Sequence, residues 1–218
     1  MILYGQFDSP FVRRAAVALN HYGMPFERRV LSVFGNFDEM LAVNPLGKVP
    51  ALQLPQGDML YDSRAIIEYL ESIAPPERRL TPGDDGPRRD MLRIEAVGIG
   101  LAEKTYERGI EFSRRAPGMQ DMDWVARLER QILSALAWLE ERAGGEWMVG
   151  GGLTRADLAA VMAATYLAEK LPDLFDRTRF ARLDAHRARC EALPVFRASA
   201  YSANEAAATG SRPEAGKA

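Results

Sequence analysis

Residues 1–5, MILYG, are a short apolar run closed by glycine, and the pattern changes directly after it. From Pro10 the apolar positions fall at Val12, Ala15, Ala16, Leu19 and Tyr22, the three-and-four spacing of one helix face. Gly23 and Pro25 supply the stop. The first run predicts a buried strand and the second a helix. A further strand is predicted within residues 26–33, with a charged centre of Glu27, Arg28 and Arg29. Residues 35–44, GNFDEMLAVN, are loosely helical. The Val49-Pro50 pair cannot continue a helix, because proline drives the preceding residue to extended backbone. ALQL and MLY flank PQGD, a hairpin signal with glycine in the turn. DSRAIIEYLESI then predicts a helix with Ile66, Ile67, Leu70 and Ile73 on one face.

The alternation over residues 1–76 is β-α-β-α-β-β-α, which argues for a small α/β layer. Residues 77–87 are rich in proline, glycine and charge, and are expected to be a linker. No strand pattern recurs after it. Residues 88–116, 123–143, 154–170, about 176–191 and 193–201 are helical in period, so 88–201 is expected to be an all-helical domain. Gly98, Gly100 and Gly109 each weaken the first of these helices by about 1 kcal/mol relative to alanine, and suggest a bend or a close backbone approach. Residues 202–218 are small and polar, and are expected to be a disordered tail.

A chain of 218 residues is long enough to bury a proper core. Its net charge of −2 argues against nucleic acid or an anionic membrane surface as partner. No apolar run approaches the roughly 20 residues of a membrane span. The N-terminal stretch has no basic segment followed by a long apolar one, so no signal peptide is expected and a cytoplasmic location is. Cys190 is the sole cysteine, which excludes an internal disulfide. His21 and His186 lie far apart in sequence, so no histidine–cysteine metal centre is expected. Cys190 sits in a helical segment and is expected to be a plain buried thiol.

Three stretches stand at helix starts, and the first two carry candidate chemistry. In FDSPFVRR, residues 7–14, Ser9 precedes Pro10 at the mouth of the first helix. Serine there caps the helix, and the helix dipole makes the same place attractive to an anion. Asp62-Ser63 stands in the same way before the helix of residues 62–73. In LTRADLA, residues 153–159, Thr154 and Asp157 form an aspartate version of the capping box, with Leu153 and Leu158 at the staple positions. That third motif needs no ligand. Of the basic pair on the first helix, Arg13 is expected in an internal ion pair and Arg14 in solvent.

The order of elements, with Ser9 after the first strand, NPLGKVPAL at 44–52, Asp62-Ser63 and LTRADLA, resembles the soluble glutathione transferases over residues 1–201. SPFVRR looks most like their serine-type classes, such as the tau class and its bacterial relatives. The resemblance implies a thioredoxin-like domain followed by a helical one. It implies a cis bond before Pro50, with the main chain of Val49 pairing with the cysteinyl backbone of glutathione. Ser63 would hold the γ-glutamyl carboxylate and Asp62 would face its ammonium group. Asp62 stands where many members carry glutamate, with a longer arm. Lys48 would neutralise the glycyl carboxylate. Ser9 would donate its hydroxyl to the sulfur and stabilise the thiolate, without itself acting as a nucleophile.

Some classes use tyrosine for that role, but Tyr4 lies inside the first strand rather than at its end. A small acceptor is expected between the two domains, in a mostly apolar cleft, with Phe7, Phe11, Tyr106 and Phe112 as candidate walls. The implied activity is that of a glutathione S-transferase acting on small electrophiles, with hydroperoxides among the acceptors. Glutathione is then a co-substrate, no cofactor is permanently bound, and the chain is a homodimer. Two alternatives stay open: a chain that keeps the fold for binding other proteins, and a glutathione-dependent isomerase.

Overall fold

The computed structural model describes residues 1–203 and 205. The expected tail therefore lies, apart from Ser202, Ala203 and Glu205, outside the described residues. The elements in chain order are β1 (Ile2–Tyr4), α1 (Pro10–Tyr22), β2 (Glu27–Arg29), α2 (Phe37–Val43), β3 (Ala51–Gln53), β4 (Met59–Tyr61), α3 (Ser63–Ile73), α4 (Asp85–Ser113), α5 (Met122–Glu140), α6 (Arg155–Lys170), α7 (Ala181–Glu191) and α8 (Pro194–Arg197). Single 3₁₀ turns follow α3 at Pro76–Arg78 and α6 at Pro172–Leu174. An α/β layer is thus followed by helices, as the sequence pattern predicts, and the layer is thioredoxin-like, as the resemblance implies. Two compact units result: residues 1–79 with the described residues from Pro194 to Glu205, and residues 80–193.

In the first unit the sheet order is β2-β1-β3-β4. β1 and β2 run parallel, joined through α1, while β3 runs antiparallel to β1 and to β4. Leu3 and Leu52 are paired in register and fully buried. Val12, Ala15, Ala16 and Leu19 of α1 are fully buried too, as are Ile66, Ile67 and Leu70 of α3. A second cluster gathers Tyr4, Met40 and Ala51, with Ile2, Val43, Val49 and Met59 packed against it. Met40 and Val43 bring α2 into that cluster. The strand predicted within 26–33 is confined to three charged residues at the sheet edge, where such residues tolerate water.

α1 starts on Ser9, with Pro10 in its first turn, where a missing N–H costs nothing. Gly23 ends it in the left-handed conformation at φ 70°. The helix is buried on nearly every side, from Val12 to Leu19. By period, residues 193–201 read as the last of the helical series, but their polar contacts go to α1. Asn20 Nδ2 donates to Val195 O at 3.1 Å and to Ser199 Oγ at 2.8 Å, and Arg13 Nε donates to Ser199 O at 2.8 Å.

In the second unit α6 is buried from Arg155 to Leu167. α4 passes close to it. A Cβ on Gly98 would lie 2.8 Å from the carbonyl carbon of Ala159, so this glycine permits a backbone approach that alanine would obstruct. The capping box of α6 forms, with Thr154 N–H donating to Asp157 Oδ2 at 2.8 Å. Asp157 does more than cap. Its Oδ1 accepts from Met148 N–H at 2.8 Å and lies 3.1 Å from His186 Nε2, and both side chains are fully buried. α7 begins later than its period suggests, because the Asp176 carboxylate takes the N–H groups of Thr178 and Arg179 and holds residues 176–180 in a turn.

Candidate active site

Ser9 sits where the chain leaves the sheet and enters α1. The turn before it is closed by Ser9 N–H donating to Gln6 O at 3.1 Å, and Gly5 N–H is tied to Arg29 O at 2.9 Å. The Ser9 hydroxyl oxygen accepts from Val12 N–H at 3.4 Å, the long end of a hydrogen bond. That contact uses a lone pair. The hydroxyl proton remains available to donate, so capping and chemistry are compatible. Ser9 is half-buried at the positive end of a 13-residue helix.

Gly5 brings the Val49-Pro50 pair alongside. A Cβ built there would fall 2.5 Å from Val12 Cγ2 and 3.0 Å from Val49 Cβ, and the residue adopts φ 131°, which favours glycine. The Val49-Pro50 stretch thus packs against the start of α1 across a position that only a bare backbone fits. The Val49-Pro50 peptide bond is cis. Asn44 secures the loop leading into it. It is buried, its Nδ2 donates to Lys48 O at 2.7 Å, and its Oδ1 accepts from Leu46 N–H at 3.0 Å. The Lys48 side chain is exposed.

The Asp62-Ser63 pair is bound to α1 by Arg14. Arg14 is 1% exposed and its Nη1 donates to Ser63 Oγ at 3.1 Å. The expectation of a solvated Arg14 is therefore corrected. α1 is covered on all sides, so a residue on its polar-looking face is buried as well. Ser63 is the first residue of α3 and is itself buried, while Asp62 caps the helix by accepting Arg64 N–H at 2.7 Å. Asp62 is the one non-glycine residue with positive φ among the described residues, at φ 68° and ψ 134°. Such a conformation costs of order 1–3 kcal/mol and tends to be kept where function needs it. The N-terminus of α3 presents backbone N–H groups at this corner, which suit a carboxylate.

Ser9, Val49 and Ser63 are therefore all anchored around the first half of α1. Tyr4 is the last residue of β1, not an interior one as its sequence suggests, and its hydroxyl donates to Gln53 Oε1 at 3.2 Å on β3. Among the candidate wall residues, Phe7 and Phe11 belong to the first unit, Phe7 buried and Phe11 half-buried. Tyr106 and Phe112 belong to the second, 40% and 42% exposed. Partial burial pushes the Tyr106 phenol up from its ordinary value, and the nearby Arg114 works against that shift. Arg108 lies over the Phe112 ring at 4.1 Å.

Cys190 is not part of this group. Burial, with the charge of Asp157 as a secondary cause, pushes its thiol up to about 12. His186 Nε2, 3.6 Å from the sulfur, faces Asp157 as well, so the three form a buried structural knot around one ring nitrogen. Among the described residues no helix is long and apolar enough to cross a membrane.

Residues 3–78 match the family model for the glutathione S-transferase N-terminal domain, and residues 114–194 match that for the C-terminal domain. A crystal structure of a glutathione S-transferase from Methylobacterium radiotolerans, complexed with glutathione sulfonate, is 31% identical with a TM-score of 0.86, covering 91% of this chain and 93% of that one. The chain belongs to the glutathione S-transferase family. Two curated members of similar length also match. The uncharacterized GST-like protein YibF of Escherichia coli is 28% identical over 86% of this chain and all of its own. A probable maleylacetoacetate isomerase of Vibrio cholerae is 29% identical over 90% of this chain and 93% of its own.

Within this glutathione S-transferase-family chain, Arg14 and Asn44 are the site-supporting residues that sequence reasoning missed. Each had a faint signal. The unbroken AAVAL run beside Arg14 marks a helix buried all round. Asn44 precedes Pro45, a pairing that favours a turn.

Proposed function

We propose that the chain is a glutathione S-transferase of the serine type, near the tau class and its bacterial relatives, and that it conjugates glutathione to small electrophiles. The observation that carries the reading is the gathering of Ser9, Val49 and Ser63 around α1 through Gly5 and Arg14. In this reading residues 1–76 bind glutathione, 77–87 link, and 88–201 supply the helical part, the last helix of which, α8, packs with the first unit. Main-chain groups of Val49 beside Pro50 pair with the cysteinyl backbone. The N-terminus of α3 and the Ser63 hydroxyl take the γ-glutamyl carboxylate. Asp62 faces the ammonium group and Lys48 the glycyl carboxylate.

The sulfur then lies at the N-terminus of α1 beside Ser9. A free thiol with pKa about 8.5 is only a few per cent ionised near neutral pH. The helix dipole and the Ser9 O–H both favour the thiolate. The thiol proton leaves to solvent, the thiolate forms a carbon–sulfur bond, and the leaving group departs with its electron pair. Phe7, Phe11, Tyr106 and Phe112 keep their role as acceptor contacts. No resident cofactor is needed, and a cytoplasmic homodimer working in detoxification fits the reading.

Retention on immobilised glutathione, release by an S-alkyl glutathione, and turnover of an aromatic halide test it. Conjugation should consume one glutathione per acceptor. Absence of both retention and turnover would contradict the reading. The similarity to a probable maleylacetoacetate isomerase favours one second reading, a glutathione-dependent isomerase. Stoichiometry separates the two, since isomerisation of maleylacetoacetate returns its glutathione and conjugation consumes it.

A further inference from the structure

The turn that delivers Ser9 is gripped from the far end of the chain. Phe7 is the second residue of the Gln6–Ser9 turn and is 8% exposed, so its N–H requires a partner. Glu205 supplies it: Phe7 N–H donates to Glu205 Oε2 at 2.6 Å, across 198 residues of sequence. The other carboxylate oxygen lies 2.6 Å from Arg28 Nη1 on β2, with the two side chains 27% and 14% exposed. The Arg28 guanidinium in turn lies over the Phe7 ring, 4.0 Å from its centroid. One carboxylate thus joins the sheet edge, the turn and the C-terminal segment, all within the first unit.

We propose, on the reading of Ser9 as the donor to the glutathione thiolate, that Glu205 is a positioning residue for Ser9. A charge-assisted bond to Phe7 N–H is stronger than the water contact that would replace it. It fixes the turn two residues ahead of Ser9, and the turn sets the direction of the hydroxyl. Arg28 holds the carboxylate in place from one side and the Phe7 ring from the other. Glutathione itself is held elsewhere, at Val49 and Ser63. Loss of Glu205 therefore acts on the ionised sulfur and not on the affinity for the peptide.

The test uses the full chain as wild type, Glu205→Ala, Glu205→Gln, Ser9→Ala and the Ser9→Ala/Glu205→Ala double variant. Thermal unfolding is followed alongside kcat, KM for glutathione and the pKa of the bound thiol, read from thiolate absorbance. Glu205→Ala should lower kcat near neutral pH by about 1.5- to 3-fold, through the smaller thiolate fraction that a higher thiol pKa leaves. The bound thiol pKa should rise by about half a unit to one unit, with KM for glutathione within about twofold. Glu205→Gln keeps an acceptor for Phe7 N–H and should recover part of the loss. In the Ser9→Ala background the second substitution should change neither kcat nor thiol pKa, because the hydroxyl it positions is gone.

Wild-type kcat and thiol pKa in Glu205→Ala overturn the proposal. So does an equal loss in both backgrounds, which would mark a general structural role. A wild-type chain that fails to bind glutathione removes the reading of Ser9 and the role of Glu205 together. An active wild type with an indifferent Glu205→Ala removes only the latter.

Discussion

Replacing Ser9 separates its two roles. The cap bond is long, 3.4 Å from Val12 N–H, so its loss in Ser9→Ala should cost stability near the low end for caps, about 0.5 kcal/mol. Ser9→Gly loses only a few tenths of a kcal/mol as a cap, and it removes the hydroxyl just as completely. The chemical loss is larger. A hydrogen bond to a charged group is worth about 1.5–3 kcal/mol, which is roughly one to two pKa units. Take a bound thiol held about two units below the free value of about 8.5. Without the hydroxyl its thiolate fraction at about pH 7 falls from roughly three-quarters to between a quarter and a thirtieth, a 3- to 25-fold loss of rate. Above about pH 9.5 the variant's thiol is again mostly ionised, and the higher pKa makes each thiolate slightly more nucleophilic. The rate deficit should therefore close as pH rises. The assay is the pH profile of kcat with an aromatic halide, beside the unfolding midpoint. A deficit of the same size at every pH, or no deficit, would refute the assignment of Ser9 as thiolate donor.

Other substitutions probe the frame around the site. Asp157→Ala leaves the Met148 and Thr154 N–H groups and His186 without their buried partner, and should cost about 3–5 kcal/mol in denaturant unfolding, against about 1 kcal/mol for Thr154→Ala. Equal costs would show that Asp157 is only a cap. Gly98→Ala should destabilise by about 1–3 kcal/mol through the clash with Ala159, despite its better helix propensity, whereas Gly100→Ala meets nothing within 4 Å and should gain about 1 kcal/mol. A stabilising Gly98→Ala would contradict the close approach of α4 and α6. Cys190, its thiol pushed up to about 12, should react with thiol reagents only as fast as the fold opens, so labelling should accelerate with denaturant and not with modest alkalinity.

What the sequence makes legible is local. Ser9-Pro10 announces a helix start, Asp62-Ser63 a second, and the period of residues 63–73 the face that α3 buries at Ile66, Ile67 and Leu70, although Ile73, read onto the same face, is exposed. β2 is overextended in the reading because only its three central residues pair with β1. Arg14 looks solvated in isolation. Its burial follows from α3 on one side of α1 and from α8 on another, and α8 arrives some 170 residues later. A shorter separation, 29 residues, hides the knot of Asp157 with His186, where a capping motif meets a side chain from α7. Nor does composition reveal that Asp62 holds a positive φ, since aspartate is an ordinary cap in most helices. Local pattern thus places the three motifs, and the contacts that converge them on α1 come from non-local packing.

The most direct test of the account is the titration of glutathione bound to the wild-type chain, followed by thiolate absorbance. A thiol pKa about two units below the free value of about 8.5 is the predicted result. A bound thiol that titrates at the free value would contradict the central claim that the end of α1 and Ser9 exist to ionise it.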